Sequence, residues 1–367
     1  MAVHIFVPRW MNQSITNAQN SNARALLSRF SDPRARWTTI GNDQLPDAVI
    51  RNGVHIIQLF RSRLWAYQLA LAYQSRYDAI FYPGVDWPDE FGMKVRRLSG
   101  RRTPVIATIE GIIASPTDVA RLSDFLGHPI FSQPGTDHAV PRIRAMYEKA
   151  DHIIAISPFL ARVAEFLYGN KVSCLPLGVE TDMFHNTGRR EPDRCRVVAC
   201  GTVKSSKNPQ MFLRLAARYK QADFVWYGDG PMVQSLTAEA NQRGLENLRF
   251  VVGMQTAALA EAFRKSSLLA LPSHSEGVPK VAQEAAACGL PIVLNGYYEA
   301  PTVIHQRNGL VAWSDDELSD HVGALLHDPD TRRKMGEQST EMAKEWSWDQ
   351  IAPQWEDLVI QLATSKP

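Results

Sequence analysis

The sequence predicts an α/β protein made of two Rossmann-like domains, each built on a doubly wound parallel sheet. Short apolar runs alternate with longer helical patterns along the whole chain, which is the order that parallel strands joined by crossover helices require. The chain has 367 residues, of which 45% are hydrophobic, so it is long enough to bury two cores of ordinary size. Pattern and length together therefore favour this fold class.

The apolar runs fall into two groups of predicted strands. In the first half the predicted strands are 3–7, 37–40, 55–59, 79–82, 105–109, 152–156 and 172–175. In the second half they are 196–200, 223–227, 248–252, 268–271, 291–294 and 309–312. Ser157 and Pro158 predict a helix start, because serine caps helices and proline tolerates the first helical position.

A polar, turn-rich stretch between the two groups predicts a linker. We expect a first domain at 1–178, a linker at 179–193 and a second domain at 194–346.

Charge is distributed unevenly between the two halves. The formal net charge is only +2, yet residues 1–180 carry 20 basic against 15 acidic side chains and residues 181–367 carry 20 against 23. No basic segment followed by an apolar stretch opens the chain, and no apolar run is long enough to span a bilayer. These features predict a cytoplasmic protein.

The cysteines are few and widely spaced. They are Cys174, Cys195, Cys200 and Cys288, and no two of them form a C-x-x-C pair. Because each lies in an apolar context, we expect buried, reduced thiols and neither a disulfide framework nor a zinc site.

The most informative segment is Ser-Glu-Gly-Val-Pro-Lys-Val-Ala-Gln-Glu at 275–284, which follows a predicted strand and opens a helix. It places Glu276 and Glu284 near the carboxyl edge of that strand, where doubly wound sheets bind ligands. Backbone N–H groups at such a helix start favour an anionic diphosphate. The candidates for this contact are Gly277, Val278, Lys280 and Val281. The structural alternative is that Glu276 caps the helix and Glu284 is solvated.

This segment, with Ala-Cys-Gly-Leu-Pro after it, resembles the paired-glutamate signature of retaining nucleotide-sugar glycosyltransferases with the GT-B fold, in particular family 4. The resemblance implies that Glu276 faces the donor sugar and phosphates, while Glu284 holds the ribose hydroxyls. Residues 175–184 are similar to the family's interdomain segment, with Leu177 in place of the usual asparagine. In relatives the helix that Trp346-Ser347-Trp348-Asp349 would begin, at about 347–363, packs back on the first domain.

The loop 200–208 follows the first predicted strand of the second half and resembles the family's phosphate-clamp loop, usually G-R-L and a later lysine. Gly201 matches the glycine, and Lys207 matches the lysine that would neutralise the leaving diphosphate. Thr202 stands where the family has arginine, so one expected cation is absent; Lys204 or Lys280 is a candidate replacement. The alternative for both lysines in this loop is a solvated helix start.

Two further turns of the second half resemble donor-contacting segments of the family. Gly228 belongs to a G-x-G-P turn after a predicted strand, and Gly253 with Met254 follows the next strand, where relatives hold the nucleotide base. Backbone requirements alone explain such glycines equally well.

The first half offers candidates for the acceptor side. Glu110 ends a predicted strand where many relatives have histidine, so it is a candidate to orient the sugar or to accept the acceptor's proton, or else a loop cap. The loop after the first strand lacks the family's glycine pair but is polar. Its acceptor-binding candidates are Asn12, Gln13, Ser14, Thr16 and Asn17.

A basic cluster precedes the strand at 105–109. It consists of Lys94, Arg96, Arg97, Arg101 and Arg102. Such a run is either a solvated helix face or a contact with anionic lipid headgroups at the inner face of a membrane. Nucleic acid is disfavoured, because the run lacks interleaved aromatic residues.

The resemblance implies a metal-independent, retaining hexosyl transfer with no cofactor, from a nucleotide diphosphate sugar to a hydroxyl of a sugar, polysaccharide or lipid-linked acceptor. A UDP donor is favoured over a GDP donor. Two alternatives remain open: a nucleotide-sugar epimerase or hydrolase on the same fold, and a noncatalytic nucleotide-sugar binding subunit. A nicotinamide dehydrogenase is disfavoured, because no G-x-G-x-x-G follows the first strand.

Overall fold

A computed structural model gives the architecture for most of the chain. It describes residues 2–11, 18–41, 54–58, 76–85, 103–132, 139–169 and 171–365. These residues form two compact units, which are described separately. Unit 1 comprises Met1–Leu122, Pro134–Gly178 and Trp348–Pro367, and unit 2 comprises Ser123–Gln133 and Val179–Ser347.

Unit 1 is built on a seven-stranded parallel sheet. Its strands are β1 Val3–Met11, β2 Ala35–Gly41, β3 His55–Gln58, β4 Ala79–Tyr82, β5 Val105–Ile109, β6 His152–Ala155 and β7 Val172–Cys174, in the spatial order β3-β2-β1-β4-β5-β6-β7. The helices in the described part of this unit are α1 Ala18–Leu27, α2 Pro116–Leu126, α3 Ala139–Lys149 and α4 Pro158–Tyr168. Strands β4 and β5 are buried throughout, as expected for central strands covered on both faces.

Unit 2 repeats this plan with six parallel strands. They are β8 Arg196–Cys200, β9 Asp223–Tyr227, β10 Leu248–Val251, β11 Leu268–Leu271, β12 Ile292–Asn295 and β13 Gly309–Ala312, in the order β10-β9-β8-β11-β12-β13. The helices are α5 Pro209–Arg218, α6 Val233–Gln242, α7 Thr256–Arg264, α8 Lys280–Ala287, α9 Asp315–His327 and α10 Pro329–Ala343. A short 3₁₀ turn, Ser205–Lys207, precedes α5, and another spans Gly296–Tyr298.

The predicted fold class is confirmed, because both sheets are parallel and both are doubly wound. In each sheet the strand order reverses beside the first strand of the unit, at β1/β4 and at β8/β11. This reversal opens a crevice at the carboxyl ends of the strands, which is where such sheets bind ligands. The predicted helix start at Ser157 is also confirmed, since its side chain accepts a hydrogen bond of 3.1 Å from the Leu160 N–H.

The last helix, α11 Trp348–Thr364, groups with unit 1. Its buried Glu356 carboxylate accepts hydrogen bonds from the backbone N–H groups of Ser31 and Asp32, both at 3.0 Å, and from the Trp37 indole at 3.1 Å. Trp355 donates from its indole to the Pro176 carbonyl at 2.7 Å. These contacts satisfy polar groups that burial would otherwise leave unpaired, and they fix the helix to the unit.

Two details differ from the sequence-based expectations. Ser123–Gln133, expected in the first domain, groups with unit 2. All four cysteines are free thiols, but Cys174 is exposed because β7 lies at the edge of its sheet. No helix in the described ranges is both long and apolar enough to cross a bilayer.

Candidate donor-binding site

The candidate site lies in unit 2 at the carboxyl ends of β8 and β11, where the strand order reverses. The loop after β8 runs from Gly201 to Asn208, and the loop after β11 runs from Pro272 to Pro279. Parallel strands bring both loops to the same edge of the sheet, although they are far apart in sequence. The backbone N–H of His274 donates to the Ser206 carbonyl at 3.0 Å and joins the two loops directly.

At the centre of the site the ammonium group of Lys207 pairs with the carboxylate of Glu276. Glu276 is buried and Lys207 is partly buried. Solvent screens this pair less than a surface pair, so the interaction between the two charges is strong. The structure thus brings together two of the three residues that the sequence suggested for catalysis.

Two buried side-chain hydroxyl groups belong to Ser275, the neighbour of Glu276 in sequence, and to Tyr298. The phenol of Tyr298 is buried, and this burial raises its pKa well above the usual range. The charge of Glu276 adds a smaller contribution in the same direction. Among the described residues neither this hydroxyl nor that of Ser275 has a hydrogen-bond partner. Sequence reasoning missed Tyr298, because no motif links it to the paired glutamates.

Glu284 lies on α8, the helix that opens from this loop. Burial raises the pKa of its carboxyl group, and the nearby Lys280 ammonium lowers it in part. The charge of Glu284 also contributes, after burial itself, to raising the pKa of the Cys200 thiol at the end of β8 to about 12, and the charge of Lys207 opposes that shift. Glu284 and Lys207 therefore both lie close enough to Cys200 for their charges to act on its thiol. Within the described ranges no hydrogen-bond donor reaches the Glu284 carboxylate.

The first helical residue of α8 is Lys280, so Lys280 and Val281 present backbone N–H groups that have no acceptor inside the helix. Gly277 and Val278 immediately precede that helix, between Glu276 and the Pro279 cap. This end of the helix is favourable for an anion.

Glycines allow the turn after β9 to pack against the loop after β8. A Cβ atom on Gly228 would lie 2.1 Å from the Gly201 carbonyl oxygen, and one on Gly230 would lie 2.4 Å from the Val203 carbonyl oxygen. The two backbones bond to each other through the Val203 N–H and the Asp229 carbonyl at 2.9 Å. Gly228 is therefore required for this close approach, whatever its role toward a ligand.

The other donor-side candidates occupy more open positions. Thr202 is exposed, and Lys204 is partly exposed at the start of the 3₁₀ turn. Gly253 follows β10 with a φ of 71°, and Met254 beside it is exposed.

The first-half candidates do not all fall within the described residues. Glu110 directly follows β5 of unit 1, and its carboxylate accepts a hydrogen bond of 2.9 Å from the side-chain amide of the buried Asn22 on α1. The loop candidates Asn12, Gln13, Ser14, Thr16 and Asn17 lie outside the described residues. So does the basic cluster of Lys94, Arg96, Arg97, Arg101 and Arg102. No group of three or more metal-ligating side chains forms within the described ranges.

The two doubly wound parallel sheets have the GT-B fold that is seen in solved glycosyltransferase structures. Residues 182–342 match the family model described as glycosyl transferases group 1.

Curated relatives carry glycosyltransferase names. The D-inositol 3-phosphate glycosyltransferase of Kribbella flavida is 29% identical over 234 residues, which are 56% of this chain and 55% of that protein. The alpha-galactosylglucosyldiacylglycerol synthase of Streptococcus pneumoniae is 23% identical over 302 residues, 76% of each chain. The chain spans about half the length of the first of these relatives.

Solved structures share the fold over nearly the whole chain. Sucrose-phosphate synthase from Thermosynechococcus elongatus has a TM-score of 0.78 at 17% identity, with 98% of this chain and 99% of that chain covered. HepE from Anabaena, solved with UDP-glucose, has a TM-score of 0.72 at 14% identity and coverages of 98% and 100%.

Proposed function

We propose that this chain transfers a sugar from a nucleotide diphosphate sugar to a hydroxyl acceptor, with the donor bound in unit 2. The observation that carries the proposal is the Lys207–Glu276 pair, which lies beside the N-terminus of α8 at the reversal of strand order. A diphosphate placed there meets an ammonium group and free backbone N–H groups together. As the glycosidic bond breaks, negative charge grows on the diphosphate, and these preorganised donors stabilise it.

The remaining contacts of the donor follow from the polar groups around this pair. The Glu284 carboxylate is desolvated and has no hydrogen-bond donor among the described residues, so the two ribose hydroxyls would supply what it lacks. Glu276, with the hydroxyls of Ser275 and Tyr298, would face the sugar.

We favour UDP as the nucleotide, because the structurally similar HepE was solved with UDP-glucose. Gly253 and Met254, beyond the end of β10, are the proposed contacts of the base.

For the chemical step we propose retention through attack from the side of the leaving group. The acceptor's proton passes either to the leaving phosphate or to Glu110, and a Glu110→Gln variant distinguishes these two routes. Cationic side chains and backbone donors neutralise the diphosphate, so this mechanism requires no divalent metal and no cofactor. Thr202 leaves the clamp without the arginine usual in the family, and we propose that Lys204 or Lys280 provides the second positive charge.

We propose a sugar, polysaccharide or lipid-linked acceptor, in line with relatives whose names specify an inositol phosphate and a diacylglycerol glycolipid. The cluster from Lys94 to Arg102 would then hold the chain on an anionic membrane surface. In vesicle cosedimentation we expect binding to anionic but not neutral vesicles at low salt, and loss of binding in Arg96→Glu with Arg97→Glu. A wild type that ignores anionic vesicles at every salt concentration contradicts membrane association.

The function is tested by screening UDP- and GDP-sugars for binding and for turnover, with and without sugar and glycolipid acceptors. We expect transfer that depends on acceptor. Turnover of the donor at the same rate without acceptor would indicate a hydrolase or epimerase. Binding without any turnover would indicate a noncatalytic subunit, an alternative that the missing arginine at Thr202 keeps open.

A further inference from the structure

A hydrogen-bonded network connects residues that neighbour Lys207 and Glu276 in sequence. Asn208, next to Lys207, donates from its side-chain amide to the Asp315 carboxylate at 3.0 Å and lies 3.1 Å from Nε2 of His274. His274 is two residues before Glu276, so this network joins the loop that carries the lysine to the loop that carries the glutamate. Asn208 is buried and adopts a left-handed conformation, with φ 49° and ψ 53°, which asparagine tolerates better than most residues.

The chemistry of the three groups fixes the direction of each hydrogen bond. Asp315 also binds Arg214, so it is an ionised acceptor, and the nitrogen of the Asn208 amide must face it. The second hydrogen of that same nitrogen points to His274, and Nε2 must therefore accept. A histidine that accepts through Nε2 is neutral and carries its proton on Nδ1.

Aromatic packing holds the His274 ring in this orientation. The ring of Phe131 stacks on it with a centroid distance of 5.2 Å and an interplanar angle of 29°, and Tyr297 contacts Phe131 edge-on at 5.2 Å. Phe131 belongs to Ser123–Gln133, the segment that joins unit 2 from the first half of the sequence. His128 in the same segment binds Glu299 at 2.9 Å and so anchors the segment to the unit.

We propose that neutral His274 is a positioning residue, which holds the Lys207 and Glu276 loops in the arrangement that sugar transfer requires. The inference rests on the transferase function proposed above. Protonation of His274 would set a ring N–H against the Asn208 N–H, and the amide cannot flip without turning its oxygen toward Asp315. Protonation of Nε2 would thus remove this side-chain hydrogen bond, while the bond from the His274 backbone N–H to the Ser206 carbonyl would remain.

Among the described residues, the acidic groups nearest the network already have partners. Glu276 pairs with Lys207, and Asp315 binds Asn208 and Arg214. The phenol of Tyr297, whose ring lies 6.3 Å from that of His274, has its pKa raised by burial. The segment that carries Phe131 also contributes His128, which pairs with Glu299.

Two substitutions separate the acceptor role of His274 from its ring packing. His274→Gln places an uncharged oxygen near the position of Nε2 and keeps the hydrogen bond, whereas His274→Phe keeps the stack on Phe131 and loses the acceptor. We expect His274→Gln to retain near wild-type kcat, because its side-chain oxygen accepts the Asn208 hydrogen bond in place of Nε2. We expect His274→Phe to lower kcat by about fivefold to tenfold at all pH values, the scale of one hydrogen bond.

The matched control is His327→Gln, because the hydrogen bond described for His327 is to the backbone carbonyl of Gly323 within α9. This variant should transfer sugar at the wild-type rate. NMR of the Asn208 side-chain amide gives a readout independent of turnover: its signals should shift in His274→Phe and stay near their wild-type positions in His274→Gln.

The outcomes distinguish this inference from the proposed function. An Asn208 amide signal that shifts in His274→Phe, without turnover of any nucleotide sugar by the wild type, would overturn the function but leave the network in place. Normal turnover by His274→Phe, or an equal loss of kcat in His274→Gln and His274→Phe, would overturn the positioning role.

Discussion

The two sheets of this protein share one strand order, but the loops at their carboxyl ends differ in chemistry. In unit 2 the loop after β8 carries Lys207, the loop after β11 carries Glu276, and the two side chains pair. The turn after β9 packs closely against the loop after β8, because glycines there leave room for the backbone. In unit 1 the loop after β5 carries Glu110, which accepts a hydrogen bond from the side-chain amide of Asn22. The same strand order thus carries a pair of opposite charges in unit 2, which under the proposed function faces the donor diphosphate, and a carboxylate beside an amide in unit 1.

The difference teaches that the strand order selects the place of a site, while loop residues decide what binds there. The predictions below test which contacts of each unit matter, beginning with the largest expected effect.

Gly228→Ala should disrupt unit 2 most strongly. The new methyl group would lie 2.1 Å from the Gly201 carbonyl oxygen, so the clamp loop must move, at a cost of about 4 kcal/mol or more in unfolding free energy. Gly253→Ala is the matched control, since it has φ 71° but no atom within 4 Å. Backbone strain alone should cost it about 1–2 kcal/mol. Equal losses in chemical denaturation would contradict the close approach of the two loops.

Lys207→Ala should lower kcat by roughly a hundredfold or more, the scale of removing one preorganised electrostatic group. Lys204→Ala and Lys280→Ala identify the second cation, because only the lysine that replaces the missing arginine should reduce kcat. Steady-state kinetics on the purified variants measure these effects. Negligible losses from all three substitutions would remove the clamp from the mechanism.

Glu356→Gln tests the attachment of α11 to unit 1. The amide nitrogen would face at least one of the three N–H donors that now bind the carboxylate, with an expected loss of about 1–3 kcal/mol in unfolding free energy. The neighbouring Asp357 forms an exposed pair with Arg34, so Asp357→Asn should change stability very little. Similar denaturation curves for both variants would show that the buried contact does not stabilise the helix.

Glu284 should affect donor binding more than the rate of transfer. Glu284→Ala is expected to raise the KM for the donor about tenfold, the scale of lost hydrogen bonds to a charged group. Burial raises the pKa of Glu284 above its value in the unfolded chain. Ionising this carboxyl group therefore costs folding stability as pH rises through the raised pKa. At pH values above that pKa, Glu284→Gln should be more stable than the wild type. Donor affinity should fall in the opposite direction, as pH drops and the carboxylate takes up a proton. An unchanged KM in Glu284→Ala would exclude a ribose contact.

The sequence predicted the sheet architecture because its signals are local. Apolar runs and helix starts such as Ser157-Pro158 are encoded by neighbouring residues, and each predicted strand agrees with an observed one to within a few residues. Lys207 and Glu276 could be placed individually for the same reason. Their pairing required the topology, which brings the ends of β8 and β11 together.

The contacts behind the site could not be predicted, because they join residues that no local pattern connects. Asn208 and Asp315 are 107 positions apart, and an asparagine before proline signals only a helix start. Phe131 reaches His274 because Ser123–Gln133 groups with unit 2, and its sequence contains no signal for that choice. The burial of Glu356 depends in the same way on contacts with the distant residues 31–37.

The most direct test of the account is the kinetics of Glu276→Gln, which keeps the shape of the side chain and removes the charge that holds Lys207. The control is Glu337→Gln, a change at an exposed glutamate of α10 in the same unit. The account predicts that Glu276→Gln remains folded but loses most of its sugar-transfer activity, while the control transfers at the wild-type rate. Wild-type turnover by Glu276→Gln would contradict the assignment of this site.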